Sequence, residues 1–383
     1  MLSRRGGLSR RGVATAAVMA AAAGWLAGDG SRFRYLPTPR DRRALDAMAE
    51  DYRARYRVAA LSVAVGRAGL PLYLRAFGTA DRETGEHATP ASRFRIASIS
   101  KPLTAVGIFT LIERGRLHLS DRVFGWDAVL GTDYGAPPYP PLVEQVTIDH
   151  LLTHSAGGWG TDDPAPDARL LPLDHDRLIN WALYQAPLRH PPGTHFSYSN
   201  IGYVMLARVI EKLTGSGYAD WMRQSVLARC GVADMVIGGD TPAARLPDEV
   251  RYYQRGPEDP YGVDLTLWDA AAGWIAAPID LLRFVMHVDA VAGSENILRP
   301  TTIWTMTTAS PAQPNYARGW RLFPAGGWYH TGFMPGVSAV MARRADGICW
   351  AACINTRGDE PRLNGDLDNM VAAMARRIGF WRA

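Results

Sequence analysis

Ser98-Ile99-Ser100-Lys101-Pro102 sets a hydroxyl and an amine three residues apart, the spacing at which side chains share one face of a helix. Proline is tolerated only in the first turn of a helix, so Pro102 places Ser98 at the N-terminal end of one. Leu103, Val106, Ile108, Leu111 and Ile112 carry the helix from about Ser98 to Arg114, and Gly115 stops it. At such an end a serine meets the positive pole of the helix and an unpaired backbone N–H, both useful to a developing oxyanion. The chain has two lysines, Lys101 and Lys212, against forty arginines. Arginine already serves wherever a positive charge need only be solvated, and a guanidinium is never deprotonated, whereas a desolvated amine can act as a base. A lone Ser-x-x-Lys is also what a helix cap followed by a surface charge looks like. Lys212, beside Glu211 on a helical run, has that plain reading.

Outward from this stretch, Arg40 to Arg57 has helical periodicity through Leu45, Met48, Tyr52 and Tyr56. Ala59 to Gly66 and Leu70 to Phe77 are strand-like runs separated by a short turn containing Gly69. Residues 119–275 read as helices, at 147–153, 175–185, 200–214 and 217–229, joined by Pro- and Gly-rich loops. Strands return at Ala317 to Phe323, Gly327 to Thr331, Val337 to Arg343 and Ile348 to Asn355, and Leu363 to Ile378 is a closing helix. Strands at both ends of a helical middle predict one sheet built from the two termini, with a helical lobe inserted between them.

Two further clusters lie at element ends. Tyr198-Ser199-Asn200 follows the loop Pro191-Pro192-Gly193-Thr194 and precedes the helical run from Ile201 to Leu213. These residues suit a helix cap, but a phenol beside a charged lysine can also serve as a base, and a side-chain amide can hold a substrate amide. His330-Thr331-Gly332 stands at the end of a strand-like run, before Phe333-Met334-Pro335-Gly336. A glycine there lets a ligand approach the backbone, and the next N–H can point into a pocket; an ordinary turn has the same residues.

Ser-x-x-Lys, then Tyr-x-Asn, then a basic residue-Thr-Gly, in that order, resembles the class C β-lactamases, serine DD-peptidases and related esterases, the penicillin-recognising serine hydrolases. Leu151-Leu152-Thr153-His154-Ser155-Ala156-Gly157, Phe196 to Tyr203 and Ala271-Ala272-Gly273-Trp274 are similar to that family as well. The resemblance covers roughly Arg40 to the C-terminus. It implies an α+β fold of the β-lactamase/transpeptidase type, an antiparallel sheet flanked by helices plus an all-helical lobe. The expected division is a signal peptide over 1–30 and a hydrolase domain over 38–383, with an α/β lobe from about 38–118 and 265–383 and a helical lobe from about 119–264. By resemblance, Ser98 is the nucleophile, Lys101 its activating partner and Tyr198 the base of acylation, which also helps activate the deacylating water. Asn200 binds a substrate amide, and the N–H groups of Ser98 and Phe333 form the oxyanion hole. His330, Thr331 and Gly332 line the substrate. His330 departs from the lysine of most β-lactamases: a lysine there would recognise a carboxylate, whereas an imidazole of pKa about 6.5 is mostly neutral at pH 7.

Composition narrows partners and compartment. Four of the positive charges and one negative charge lie in residues 1–30, so the rest of the chain carries a formal +2, too little for a nucleic-acid footprint. Two Arg pairs before the Ala-rich, uncharged stretch from Gly12 to Gly28 read as an export signal, with Ser9 to Val13 resembling a twin-arginine type. That stretch falls short of a spanning helix, which needs about 20 apolar residues. The expected location is therefore periplasmic or extracellular, with membrane contact only through the signal. Cys230, Cys349 and Cys353 are expected as buried free thiols. His150 and His154 have a zinc-like spacing but no following Glu and no His-x-His, so no metal and no cofactor are expected. Trp159, Trp268, Trp274, Trp320 and Trp328 read as core. The leading functional reading is an exported hydrolase forming an acyl-enzyme with a small-molecule or cell-wall peptide substrate, whether an ester, a D-amino-acid peptide or amide, or a β-lactam. The alternative is a slow-acylating or non-catalytic domain that binds or senses penicillin or cell-wall peptide.

Overall fold

Thr38 opens the first helix, α1 (Pro39–Arg55): its hydroxyl accepts from the Asp41 N–H while the Asp41 carboxylate accepts from the Thr38 N–H. The computed structural model describes residues 38–161, 174–290 and 295–379; the expected export signal lies outside the described residues. After α1 come β1 (Ala60–Arg67), β2 (Leu70–Asp81), β3 (Glu86–His87) and β4 (Phe94–Arg95), then a single 3-10 turn, Ala97–Ile99. The helical middle holds α2 (Ser100–Glu113), α3 (Ile148–Leu152), α4 (His175–Gln185), α5 (Asn200–Thr214) and α6 (Tyr218–Met222). Short strands β5 (Val236–Ile237) and β6 (Tyr253–Arg255) lead to α7 (Asp269–Ala272), β7 (Trp274–Ala276), α8 (Pro278–Met286) and α9 (Pro300–Thr307). The chain ends in β8 (Arg321–Leu322), β9 (Gly327–Met334), β10 (Val337–Arg344), β11 (Ile348–Ile354), β12 (Thr356–Gly358) and α10 (Leu363–Gly379).

Both termini supply one seven-stranded sheet in the order β3-β2-β1-β11-β10-β9-β8. Every neighbouring pair in it is antiparallel, and Ser62 on β1 faces Cys353 on β11 at its centre. Strand alternation divides the side chains between two cores. Leu61, Val63, Val65, Val340, Trp350 and Ile354 meet α1 and α10, whereas Ala60, Ala64, Ala339, Cys349, Ala351 and Cys353 meet α2, α8 and the helical lobe. Small residues on the second face let α8 lie close: Leu282 and Met286 come within contact of Gly66. Helix α2 is buried all round from Ser100 to Leu111, so it runs through the middle of the molecule rather than over its surface.

Four expectations shift. The helix begins at Ser100, and Ser98 sits in the turn before it. The strand expected over Ala317 to Phe323 shrinks to two residues, because the Arg318 and Gly319 N–H groups bond the Met306 and Leu152 carbonyls instead of a sheet partner. Strand β9 runs on to Met334, so His330-Thr331-Gly332 lies mid-strand rather than at its end. The helix expected over 217–229 breaks after Met222 into a π-helical turn, Arg223–Leu227, and a 3-10 turn, Ala228–Cys230. The three cysteines are free and buried; Trp159, Trp274, Trp320 and Trp328 are buried, and Trp268 packs partly exposed against the core. In α10, a Cβ added at Gly365 meets nothing within 4 Å. Gly365→Ala is therefore expected to raise stability by about 0.5–1 kcal/mol through the unfolded chain's entropy, read as a higher urea midpoint at constant m.

Candidate active site

Ser98 is held by a strained turn. Ala97, just before it, has φ +46°, a left-handed conformation that few residues other than glycine adopt. The turn is closed by the Ile99 N–H bonding the Ile96 carbonyl and by the Ser100 hydroxyl bonding the Ala97 carbonyl at 2.7 Å. Strand β9 passes this turn at backbone contact. A Cβ on Gly332 would lie 2.0 Å from the Ile96 carbonyl oxygen and 3.1 Å from the Ser98 nitrogen, so only glycine lets turn and strand meet.

Lys101 lies one turn further on, fully buried. Its Nζ is 3.1 Å from Ser98 Oγ, 2.7 Å from Asn200 Oδ1 and 2.9 Å from the Ala271 carbonyl oxygen. All three partners are uncharged. Burial, aided by the nearby Arg321 cation, holds the amine well below its ordinary range, since a desolvated cation without a counter-ion favours its neutral form. Two aromatic faces complete the pocket, Nζ lying 4.8 Å from the Tyr198 ring centroid and 5.6 Å from that of Tyr203. Ala271 was flagged in the sequence only through the stretch 271–274, which gave it no role. Its carbonyl is presented by α7, whose Asp269 carboxylate pairs with the buried Arg208 guanidinium at 2.7 Å.

The segment 198–200 is fixed by the cap of α5. Ser199 Oγ accepts the Gly202 N–H at 2.9 Å, which sets Asn200 at the first helical position. Tyr198 is half-buried, and packing pushes its phenol up to about 12, although the Ser98 hydroxyl and Arg321 pull the other way. It is therefore a protonated phenol at neutral pH.

The structure brings Ser98, Lys101, Tyr198, Asn200 and the backbone of Gly332 together. It treats His330, expected to line the substrate, differently: the imidazole is 1 % exposed and lies in the interior. Its Nε2 is 3.1 Å from the Tyr316 hydroxyl and its Nδ1 2.7 Å from the Thr331 carbonyl oxygen. Thr331 is half-buried, and Phe333 is 53 % exposed with the Arg357 guanidinium 5.1 Å from its ring centroid. Arg321, unremarked in the sequence among forty arginines, is the charge that acts on Lys101, Tyr198, His154 and His330 alike. No group of His, Cys, Asp and Glu side chains able to hold a metal occurs among the described residues.

Burial holds the His154 and His330 imidazoles well below their ordinary range, with Arg321 adding repulsion, as does Lys101 when it is protonated. Below pH about 6.5 the unfolded chain takes up these protons while the folded protein does not. Stability is therefore lost as pH falls, by up to about 1.4 kcal/mol per pH unit for each ring. Urea midpoints measured between pH 7.5 and 5 are expected to fall steadily, and less steeply in His154→Asn.

The sequence matches the Beta-lactamase family over residues 45–375. It is 32% identical over 206 residues to esterase EstB of Burkholderia gladioli, covering 50% of this chain and 50% of that one. It is 28% identical over 245 residues to a penicillin-binding protein of Bacillus subtilis (strain 168), covering 62% and 48% respectively. The chain thus spans about half the length of these curated relatives. In fold it is similar to the D-amino acid amidase of Ochrobactrum anthropi SV3, with TM-score 0.73 and 23% identity over 90% of this chain and 99% of that one. With a match that runs from the first helix into the last, this chain belongs to the Beta-lactamase family.

Proposed function

We propose that the protein is an exported serine hydrolase that works through an acyl-enzyme on Ser98. The supporting observation is the setting of Lys101. Asn200 Oδ1 and the Ala271 carbonyl can only accept, so they take two N–H bonds of the amine, and its third direction faces Ser98 Oγ at 3.1 Å. In the neutral amine that direction holds the lone pair. The Ser98 proton passes to Lys101 Nζ as Oγ bonds the acyl carbon, and the N–H groups of Ser98 and Phe333 receive the oxyanion. The phenol of Tyr198, held protonated, donates to the leaving group as the acyl bond breaks, and Lys101 returns its proton to Tyr198. This assigns the base of acylation to Lys101 rather than Tyr198. With His330 neutral and enclosed, Arg321 supplies the positive field for an anionic substrate group. Water then releases the acyl group. An ester, a D-amino-acid amide or peptide, or a β-lactam fits this chemistry, in keeping with what the relatives are named for. The paired arginines and apolar stretch of residues 1–30 support export to the periplasm or beyond.

One observation favours an acyl-enzyme without rapid turnover: the same elevated phenol, protonated at neutral pH, is a poor base for the deacylating water. Intact mass after treatment with a fluorophosphonate and with a fluorescent penicillin tests both readings. A single adduct on the peptide carrying Ser98 is expected. If neither reagent adds mass, the acyl-enzyme reading is wrong. An adduct lasting hours, with no turnover of short-chain nitrophenyl esters, a D-Ala-D-Ala peptide or a chromogenic cephalosporin, establishes the binding or sensor role instead.

A further inference from the structure

We propose that His154, Tyr316 and His330 form an uncharged, one-way hydrogen-bond chain that ties the Tyr198–Asn200 segment to β9, making them positioning residues for the Ser98 site. The inference rests on the acyl-enzyme reading for its effect on rate, but not for the chain itself.

The direction of the chain is set by its two ends. At one end the Ser199 N–H points at His154 Nδ1, 3.0 Å away. A backbone amide only donates, so Nδ1 is bare and the ring proton sits on Nε2. That Nε2–H donates to the Tyr316 hydroxyl at 3.0 Å. The hydroxyl proton then goes to His330 Nε2 at 3.1 Å, which is bare in turn. His330 Nδ1 therefore carries the ring proton and donates to the Thr331 carbonyl at 2.7 Å, a group that only accepts. With both rings neutral, an amide at one end and a carbonyl at the other leave one arrangement of ring protons, with opposite tautomers on the two rings.

A second proton is opposed on each ring: on His154 it would face the Ser199 N–H, which only donates, and on His330 it would turn the Tyr316 hydroxyl proton away, toward Tyr203. The surroundings agree. His154 is packed by the rings of Tyr198, Tyr203, Tyr316 and Phe196, with centroids at 4.3, 5.2, 4.9 and 5.8 Å. His330 is faced by Tyr198 and Tyr316 at 6.4 and 6.0 Å. The groups that act electrostatically on both rings, Lys101 and Arg321, are bases, and neither offers the negative charge that would favour a protonated ring. The acid closest along the chain, Asp149 on α3, is paired with Arg318 at 2.6 Å, an ion pair that also pins the loop carrying Tyr316.

What the chain joins gives it its effect. Ser199 caps the helix that begins with Asn200, and Asn200 holds Lys101. Thr331 precedes Gly332, which touches the turn of Ser98. The chain thus sets the distance between the group that activates the serine and the strand that receives the oxyanion. Such a tie explains a histidine at position 330 without any contact to substrate.

Long-range proton–nitrogen NMR of the histidine-labelled full chain reads the tautomers directly. At pH 7 we expect His154 neutral with its proton on Nε2 and His330 neutral with its proton on Nδ1, both unchanged down to pH 5. Matching tautomers, the reversed pair, or a charged ring at pH 7 overturns the chain. Tyr316→Phe keeps the ring and removes the link. It is expected to slow fluorophosphonate labelling of Ser98 by about tenfold, the scale of a modest misplacement of reacting groups, with KM for a nitrophenyl ester unchanged. It should also shift the His330 Nε2 signal to that of an imidazole nitrogen without a donor, as the Tyr316 hydroxyl no longer faces it. His330→Asn, which keeps a donor near Thr331, should label at an intermediate rate and replaces Tyr316→Phe if that variant does not fold. Labelling at the wild-type rate with an unshifted His330 signal overturns the positioning role. Wild-type protein that fails to label sinks the acyl-enzyme reading instead, and the tautomers still decide whether the chain exists.

Discussion

Ser98→Ala and Lys101→Arg are each expected to lower ester hydrolysis by about a thousandfold or more, the cost of losing a nucleophile or its base. For Ser98 the reason is simple removal of the attacking atom. For Lys101 it lies in the pocket. The Nζ sits among Ser98 Oγ, Asn200 Oδ1 and the Ala271 carbonyl at 2.7 to 3.1 Å, a space cut to one small nitrogen. A guanidinium is planar, larger and permanently protonated, so it can neither fit those acceptors nor take the serine proton. Lys101→Met fills similar volume without a charge and is expected to be equally inactive yet folded, as read by circular dichroism. The wild-type rate should fall as pH drops through the lowered pKa of Lys101, because protonation consumes the lone pair. A Lys101→Arg enzyme that keeps a tenth or more of wild-type activity would rule out the amine as base.

Gly332→Ala is expected to cost about a hundredfold in kcat/KM, the penalty for displacing reacting groups by roughly 1 Å, and to lower the urea midpoint as well. The added Cβ would lie 2.0 Å from the Ile96 carbonyl oxygen, far inside contact distance. The obstacle is backbone on both sides, so no side chain can swing away, and relief requires β9 or the Ser98 turn to move. Gly217→Ala is the control: nothing lies within 4 Å of its added Cβ, and activity should be unchanged. A fully active Gly332→Ala would mean that the separation of β9 and the turn does not matter to the chemistry.

The layout of sheet and helices was legible because its signals are local. The apolar runs of β1, β10, β11 and α2 each reflect burial of that element's own side chains. The meeting of Ser98, Lys101, Tyr198 and Asn200 was legible through the order of the motifs. Residues acting through the backbone were not. Ala271 contributes a carbonyl, which every residue has, and Arg321 differs from the other arginines only in where β8 sets it. His330 reads in sequence as a substrate-lining residue, and its burial against Tyr316 is visible only in the packing. The strand expected over Ala317 to Phe323 failed because backbone groups there bond helices across the molecule, a choice no periodicity records.

The central pairing of the sheet, Ser62 on β1 against Cys353 on β11, bears on how the protein is made. That ladder closes about three quarters of the chain into one loop, so its formation is entropically late and slow. Until β9 to β11 have been synthesised, nothing can press Gly332 against the Ser98 turn. The growing chain therefore carries its serine and lysine unassembled through most of translation. A chain truncated before β11 should be inert as well as unstable.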